Sequence, residues 1–257
     1  MDSAAVTSTR SALDALLSLL APSLCVACDA PRRDLGGGGV CPRCWADASA
    51  VDDGPRCAHC ALPGRSPCAW CERHAPHPIQ DARALGVYAG PLERIVVAFK
   101  FHGFDLLAAP AAERLARRIA AVGESEIVVP VPSTPRRNRD RGYDPAALLA
   151  RELAFFFGRR SESPLTRARD SAPQSSLPAS ARFSNVSGAF RARSRGVKGR
   201  HILLVDDVVT TGATAFHAAS ALRDAGASSI RLAVLARTPT PHTSMIATAR
   251  RSRPEPP

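Results

Sequence analysis

Residues 202–214 read Ile202-Leu203-Leu204-Val205-Asp206-Asp207-Val208-Val209-Thr210-Thr211-Gly212-Ala213-Thr214. The first four are apolar and largely branched, which predicts a strand that is buried on both faces of a parallel sheet. Two adjacent carboxylates end this strand, and a short loop of hydroxyl residues and glycine follows them. Residues 215–225 then predict a helix, which Gly226 is placed to end. This order of strand, loop and helix is typical of an α/β fold.

The loop and the start of this helix predict an anion site. Backbone N–H groups and the positive end of the helix favour a phosphate, and threonine hydroxyls add donors. Asp206 and Asp207 repel phosphate, but they can accept hydrogen bonds from ribose hydroxyls or face Mg²⁺. The acid pair distinguishes the motif from a dinucleotide fingerprint or a Walker loop, and a plain surface turn does not require it. The stretch therefore predicts a ribose 5-phosphate ligand.

All eight cysteines lie in the first third of the chain, as four CxxC pairs. Each pair presents two thiolates to one ion, and two pairs complete a tetrahedral zinc site, so four pairs predict two structural Zn²⁺ ions. A disulfide framework is the alternative, but it requires an oxidising compartment. Residues 13–21 are too short and too polar for an export signal, which favours zinc and a cytoplasmic location. The predicted ligands are Cys25, Cys28, Cys41, Cys44, Cys57, Cys60, Cys68 and Cys71.

Two ways of sharing the ions are compatible with this spacing. In the sequential arrangement, the first two CxxC pairs hold one zinc and the last two hold the other. In a cross-braced arrangement, the first pair joins the third and the second joins the fourth. The glycines at positions 36–39 provide a flexible loop between the first two pairs, which favours the sequential arrangement.

The formal net charge of +11 is concentrated in two segments. Residues 136–141 contribute four basic residues and one aspartate, and residues 159–200 contribute ten basic residues and two acidic ones. Such concentration predicts a polyanion partner, either pyrophosphate or nucleic acid. The chain has no run of 18 apolar residues, so no membrane insertion is expected.

The remaining pattern alternates strands with helices, as expected for a parallel sheet. Asp144 with Pro145 predicts the start of a helix. Residues 164–200 are rich in Ser, Arg and Pro without periodicity, which predicts a long mobile loop. The predicted elements are strands at 83–88, 126–131 and 230–236 and helices at 92–101, 110–121 and 145–157.

The acid pair and its loop resemble the phosphoribosyl-pyrophosphate (PRPP) motif of type I phosphoribosyltransferases. Together with the CxxC pairs, further segments in the same order make nearly the whole chain similar to the ComF (competence protein F) family. These segments are Phe99-Lys100-Phe101, Val129-Pro130-Val131-Pro132, Arg136-Arg137, Arg141-Gly142-Tyr143, Arg169-Asp170, Pro173-Gln174-Ser175-Ser176-Leu177, Arg182, Asn185 and Gly188-Ala189-Phe190.

This resemblance implies a Rossmann-like α/β fold, with the parallel sheet of type I phosphoribosyltransferases and a small N-terminal double zinc ribbon. It implies a zinc-ribbon module at 1–78 and a phosphoribosyltransferase-like domain at 79–238. Helical spacing of leucines within residues 13–20 predicts a short N-terminal helix in the first module, and the basic, proline-rich composition of residues 239–257 predicts a disordered tail. The implied reaction transfers a 5-phosphoribosyl group from PRPP, bound with Mg²⁺, to an acceptor, as in glycosyltransferases. The implied setting is DNA uptake (competence) or nucleotide metabolism.

The resemblance also implies roles for individual residues. Asp206 and Asp207 are the expected catalytic pair that holds the ribose hydroxyls. Closure of a flexible hood over the site would shield the ribosyl centre from water. The family's usual sequence RGFNQ is replaced here by Arg141-Gly142-Tyr143-Asp144-Pro145, which removes an amide pair near the pyrophosphate end. The implied phosphate ligands are Val208, Val209, Thr210, Thr211, Gly212, Ala213 and Thr214, and the implied pyrophosphate or hood residues are Arg136, Arg137, Arg141, Arg169, Gln174 and Arg182.

A binding module is the competing class of function. Such a protein would use the phosphoribosyltransferase fold to bind single-stranded DNA or nucleotides without catalysis, while its zinc ribbons dock a DNA-uptake protein. The intact acid pair and loop favour PRPP binding. The absence of a recognisable acceptor pocket in the sequence favours the binding module.

Overall fold

A computed structural model describes residues 23–32, 37–49, 54–119, 125–167 and 188–239. Within these ranges, five strands form one parallel sheet and two more form a separate antiparallel ribbon. The strands are β1 (Asp81–Val87), β2 (Ile127–Pro130), β3 (Arg160–Ser161), β4 (Leu165–Arg167), β5 (Phe190–Ala192), β6 (His201–Val209) and β7 (Ser229–Arg237).

Seven α-helices accompany these strands in the part of the chain that the structure describes. None of them is both long enough and apolar enough to cross a membrane. The helices are α1 (Pro42–Ser49), α2 (Ala69–Arg73), α3 (Gly90–Phe101), α4 (Ala108–Arg118), α5 (Pro135–Arg141), α6 (Pro145–Phe156) and α7 (Ala213–Asp224).

The sheet has the order β1-β7-β6-β2-β3, which confirms the Rossmann-like parallel architecture. β6 is central because Leu203 pairs with Arg231 of β7 on one side and with Val128 of β2 on the other. Its apolar residues alternate between the two cores, with Leu203 on one side of the sheet and Leu204 on the other. Helices α3, α4 and α6 cover the first face, and α7 with the β4–β5 ribbon covers the second. Burial on both faces explains why residues 202–205 of β6 are continuously apolar.

Several elements differ from the sequence-based expectations. β6 continues to Val209, so both aspartates lie within the strand rather than after it. The predicted helix at 110–121 begins at Ala108 and ends at Arg118. The expectation of no regular structure over 164–200 is wrong at both ends of that segment, where Thr166 of β4 pairs with Arg191 of β5. Such pairing between distant short segments leaves little periodicity in either one. The expected N-terminal helix and the tail from residue 240 onward lie outside the described residues.

The cysteines form two groups of four, and the first one packs into the main core. The first cysteine group consists of Cys25, Cys28, Cys41 and Cys44, and the second cysteine group consists of Cys57, Cys60, Cys68 and Cys71. Trp45 follows the first group and is buried among side chains of α3 and α4. The Arg114 guanidinium lies 4.4 Å from the centre of the Trp45 ring. The segments before and after the boundary expected near residue 78 therefore share one core. The division into two domains stays a prediction.

The substitution Trp45→Ala tests whether this shared core stabilises the whole chain. Removing the ring leaves a cavity, and such a change in a buried aromatic residue costs about 3–5 kcal/mol. We expect the free energy of unfolding in urea to fall by that amount in one cooperative transition. Phe155→Ala is the matched control because Phe155 is 84% exposed, and it should change stability little. Independent melting of the N-terminal part in the Trp45 variant would contradict the prediction.

Candidate active site at the carboxyl edge of the sheet

A cavity of about 150 Å³ lies at the carboxyl ends of β2 and β6. The chain leaves these neighbouring strands in opposite directions, because β6 leads through α7 to β7 and β2 leads through α5 and α6 to β3. Ligands of open α/β sheets bind in such a crevice. Its walls contain Lys100, Val131, Pro132, Ser133, Arg137, Arg141, Arg167, Asp206, Asp207, Val208, Val209, Thr210, Gly212, Thr214 and Ala215.

Asp206 and Asp207 form a buried acid pair in this cavity, and each residue is only 9% exposed. The Lys100 ammonium lies 2.8 Å from Oδ1 of Asp207 and neutralises that carboxylate. The Asp207 N–H donates to Oδ1 of Asp206 at 2.8 Å. Burial and then the charge of Asp207 raise the pKa of Asp206 well above its ordinary value. This environment therefore favours the neutral form of the Asp206 carboxyl.

The predicted phosphate loop runs from β6 into α7. Gly212 ends it with a φ of +91°, a left-handed conformation that strains other residues. Thr210, Gly212 and Thr214 line the cavity. Thr211 lies outside its walls, and its hydroxyl accepts a hydrogen bond from the Ala213 N–H at 3.4 Å. The N-terminus of α7 thus adjoins the cavity and offers an anion site there.

Cationic side chains form a further part of the cavity wall. Of the predicted pyrophosphate residues, Arg137 and Arg141 line the cavity, whereas Arg136 is exposed on α5 outside it. The predicted hood residues Arg169, Gln174 and Arg182 lie outside the described residues. Lys100 and Arg167 line the cavity as well. Sequence reasoning assigned neither of them to the site, although Lys100 lies in a segment of weak family resemblance.

Asp144 links the turn after β2 to the two helices that follow it. Its Oδ2 accepts hydrogen bonds from the Ser133 N–H at 3.0 Å and from the Asn138 amide at 3.3 Å. Its Oδ1 accepts from the Ala146 N–H at 3.0 Å and thereby caps α6, as predicted. Asp144, one of the residues that depart from the usual family sequence, therefore fixes the turn after β2 to α5 and α6.

The two cysteine groups have the geometry of structural metal sites, and the sequential arrangement is confirmed. Within each group the ligand atoms lie within 4.8 Å of one another. The Sγ atoms of Cys28 and Cys41 are 3.9 Å apart, and those of Cys60 and Cys68 are 3.7 Å apart. Tetrahedral Zn²⁺ with Zn–S bonds of about 2.3 Å requires sulfur–sulfur distances of about 3.8 Å. Both groups could therefore bind zinc.

Hydrogen bonds to sulfur support the same assignment. The Cys41 N–H donates to Sγ of Cys25 at 3.3 Å, and the Cys68 N–H donates to Sγ of Cys57 at 3.4 Å. Burial acts to raise the pKa of Cys25, but its backbone N–H donors outweigh this effect and lower the pKa to about 7. A hydrogen bond from Cys60 lowers the pKa of Cys68 to about 6, against the effect of burial. Cys25 and Cys68 therefore favour the thiolate, the form that binds metal. In the same groups burial raises the pKa of Cys44, and hydrogen bonds with Cys57 raise the pKa of Cys60 and Cys71.

Comparisons with known proteins show which family the chain resembles. A family model described as the phosphoribosyl transferase domain matches residues 106–252. The chain is 34% identical over 230 residues to the DNA utilization protein YhgH of Escherichia coli, a match that covers 86% of this chain and 99% of the relative. It is also 28% identical over 211 residues to competence protein F of Haemophilus influenzae, which covers 77% of this chain and 90% of that relative.

A likeness to solved structures was also found. The structure of the allosteric regulatory enzyme of purine biosynthesis is 20% identical to the chain, with a TM-score of 0.40. The match covers 54% of this chain and 30% of that larger chain.

The geometry of the cysteines predicts one zinc ion in each group. Metal analysis of protein purified under reducing conditions should give about two equivalents of zinc. Cys44→Ser and Cys71→Ser should each remove about one equivalent, because a structural site needs all four ligands. A fully folded protein without metal would contradict this prediction.

The raised pKa of Asp206 predicts a pH-dependent cost to stability. The folded chain binds the Asp206 proton more tightly than the unfolded chain, so stability falls as pH rises from the unfolded pKa of about 3.9 through the folded pKa. Asp206→Asn should therefore raise the melting temperature at pH 7, and the gain should vanish near pH 4. Asp81→Asn is the control because Asp81 is paired with Arg83 at the other edge of the sheet. No gain at pH 7 for Asp206→Asn would refute this assignment.

Proposed function

The chain belongs to the ComF (competence protein F) family and contains a phosphoribosyl transferase domain, and from this we propose that it is a phosphoribosyltransferase that binds PRPP with Mg²⁺. The proposed reaction transfers the 5-phosphoribosyl group to an acceptor and releases pyrophosphate. One observation carries the proposal: the acid pair, the N-terminus of α7 and a cationic wall share one cavity. These three elements match the ribose, the 5-phosphate and the pyrophosphate of PRPP.

Each element has a proposed role in binding. Polar groups of Thr210, Gly212 and Thr214, which line the cavity, bind the 5-phosphate at the start of α7. Asp206 and Asp207 accept hydrogen bonds from the ribose hydroxyls. Arg137 and Arg141 bind the pyrophosphate by charge-assisted hydrogen bonds. Mg²⁺, when bound with PRPP, supplies positive charge to the phosphates, and the carboxylate oxygens of the acid pair suit its ligand preference.

The proposed chemical step is a substitution at C1 of the ribose. A lone pair of the acceptor forms the new bond to C1, while the bond from C1 to the pyrophosphate oxygen breaks. The pyrophosphate leaves with the electron pair, so negative charge grows at the wall that contains Arg137 and Arg141. Cations fixed at this position stabilise the transition state more than the ground state.

Lys100 has a proposed role in the ligand-free protein. Its ion pair with Asp207 keeps the acid pair from carrying two uncompensated charges. When the ligand binds, the ribose hydroxyls can replace the ammonium as hydrogen-bond partners of Asp207. Lys100 is then free to face the anionic part of the ligand, which would link ligand entry to the loss of one internal ion pair.

The substitution Asp207→Asn tests PRPP binding. A hydrogen bond to a charged group contributes about 1.5–3 kcal/mol, so the affinity for PRPP with Mg²⁺ should fall at least tenfold. Titration calorimetry measures this affinity, and metal analysis should show unchanged zinc. Asp81→Asn at the opposite edge of the sheet is the control and should bind as the wild type does. Equal affinity in the Asp207 variant would remove the basis of the proposal.

Catalysis needs a separate measurement. Pyrophosphate release from PRPP should be followed in the presence of a panel of nucleobases and of short DNA strands. Release with any acceptor supports the transferase. PRPP binding without release from any acceptor in the panel would favour the binding module.

Binding of single-stranded DNA is the second candidate function. The relatives named DNA utilization protein and competence protein F favour it, and so do the exposed Arg136 and Arg139 on α5. A track of surface arginines binds phosphates without regard to base sequence, and its affinity falls steeply with salt. In this case the zinc ribbons are proposed to dock a DNA-uptake protein.

Two arginines of the same helix separate these functions. Arg136→Ala should weaken DNA binding, lower the salt slope by about 0.7 and leave PRPP affinity unchanged, because Arg136 lies outside the cavity. Arg141→Ala should lower PRPP affinity about tenfold or more, because Arg141 lines it. Fluorescence anisotropy with short single strands at several salt concentrations measures the first effect. Absence of DNA binding at low salt would reject the second candidate.

A further inference from the structure

Arg237, the last residue of β7, is a buried cation between the second cysteine group and the phosphate loop, with 3% of the residue exposed. Its Nε donates to the Cys60 carbonyl at 3.0 Å, and its Nη2 lies 3.9 Å from Sγ of Cys60. Its Nη1 donates to the carbonyls of Val209 (3.2 Å), Thr210 and Thr238 (2.6 Å). One side chain thus contacts both a metal-ligand residue and the first part of the loop.

The charge of Arg237 needs a counter-charge. In the ranges that the structure describes, no ion pair joins Arg237 to a carboxylate. Burying an uncompensated guanidinium is costly. Four thiolates around one Zn²⁺ leave an excess of negative charge, and Sγ of Cys60 faces the guanidinium. The second cysteine group, once it holds metal, therefore supplies the compensating charge.

A second contact joins the same cysteines to the start of α7. Trp70 lies between the ligands Cys68 and Cys71, and a Cβ placed on Gly212 would meet the Trp70 ring at 3.5 Å. The ring also packs edge-to-face on Phe216 of α7, with the ring centres 5.9 Å apart. The second cysteine group therefore touches the loop through an aromatic ring as well as through Arg237.

We propose that Arg237 is a positioning residue that couples metal binding at the second cysteine group to the shape of the phosphate loop. The metal-bound thiolates hold the guanidinium, and the guanidinium holds the carbonyls of Val209 and Thr210. The N–H groups that follow then point into the cavity at the start of α7. The phosphate-binding part of this inference rests on the proposed function, whereas the coupling itself does not.

The coupling has a reciprocal consequence. If metal in the second group favours the loop conformation that binds phosphate, a bound phosphate ligand must favour metal retention in that group by the same free energy. The first cysteine group packs against α3 and α4 and has no such contact in the described structure. We therefore expect that a bound phosphate ligand leaves metal retention in the first cysteine group unchanged.

Amide hydrogen exchange of residues 210–214 tests the coupling without any ligand. Arg237→Met should raise exchange in this loop several-fold, and Cys71→Ser should do the same by removing the metal. Cys28→Ser, which disrupts the first group, is the matched control and should leave the loop as in the wild type. Wild-type exchange in the loop of Cys71→Ser would overturn the proposal, whether or not the Arg237 variant folds.

Zinc release to a chromogenic chelator gives a second readout on the wild-type protein. Saturating PRPP should slow the release of one of the two zinc equivalents several-fold. Arg237→Met should abolish this slowing and lower the affinity for PRPP about tenfold.

Arg237→Lys retains the positive charge but lacks the forked donors of arginine. It should therefore restore the retention of zinc in the second cysteine group but not the affinity for PRPP. Restored affinity in the Lys variant would overturn the positioning role. Loop coupling in a protein that fails to bind PRPP would refute the proposed function alone.

Discussion

The burial of two neighbouring carboxylates at the end of β6 is the interaction on which the site depends. Desolvation and mutual repulsion disfavour two charges at this position, and the raised pKa of Asp206 expresses that cost. The surrounding chain offsets it with Lys100 from α3 and with backbone N–H donors. The parallel sheet is needed for this arrangement because it brings the ends of β2 and β6 together with the start of α7. The site is thus less stable than an apolar edge would be, as is common for functional sites.

Patterns within a few consecutive residues predicted the local elements that those residues form. The continuous apolar run of β6, the Gly212 turn and the Asp144 cap each lie within a few residues, and the structure contains all three. The grouping of the cysteines also follows from sequence spacing. Pairing of β4 with β5 and the contact of Lys100 with Asp207 were missed, because each joins segments that are distant in sequence. Neither segment has a periodic pattern from which such a contact could be predicted.

The cysteine-rich segment contacts two of the elements that form the site. Its first group contributes Trp45 to the core beneath α3, the helix that carries Lys100. Its second group meets the phosphate loop through Trp70 and Arg237. A small metal-bound module gains rigidity that its own core cannot supply. These two contacts join the cysteine-rich segment to the helix that carries Lys100 and to the loop that follows β6.

The kinds of charged and polar groups around the cavity suit the proposed ligand. The N-terminus of α7, which follows β6, favours an anion, and Arg137 and Arg141 on α5, the helix that follows β2, favour a second one. Asp206 and Asp207 lie in the same cavity, where a phosphate would be repelled and hydroxyl donors are preferred. A ligand with two anionic ends and hydroxyls between them satisfies all three regions at once. An inorganic anion suits only the anion-binding regions, and a nucleobase suits neither these nor the acid pair, so the charges of the cavity support the proposed ligand over its fragments.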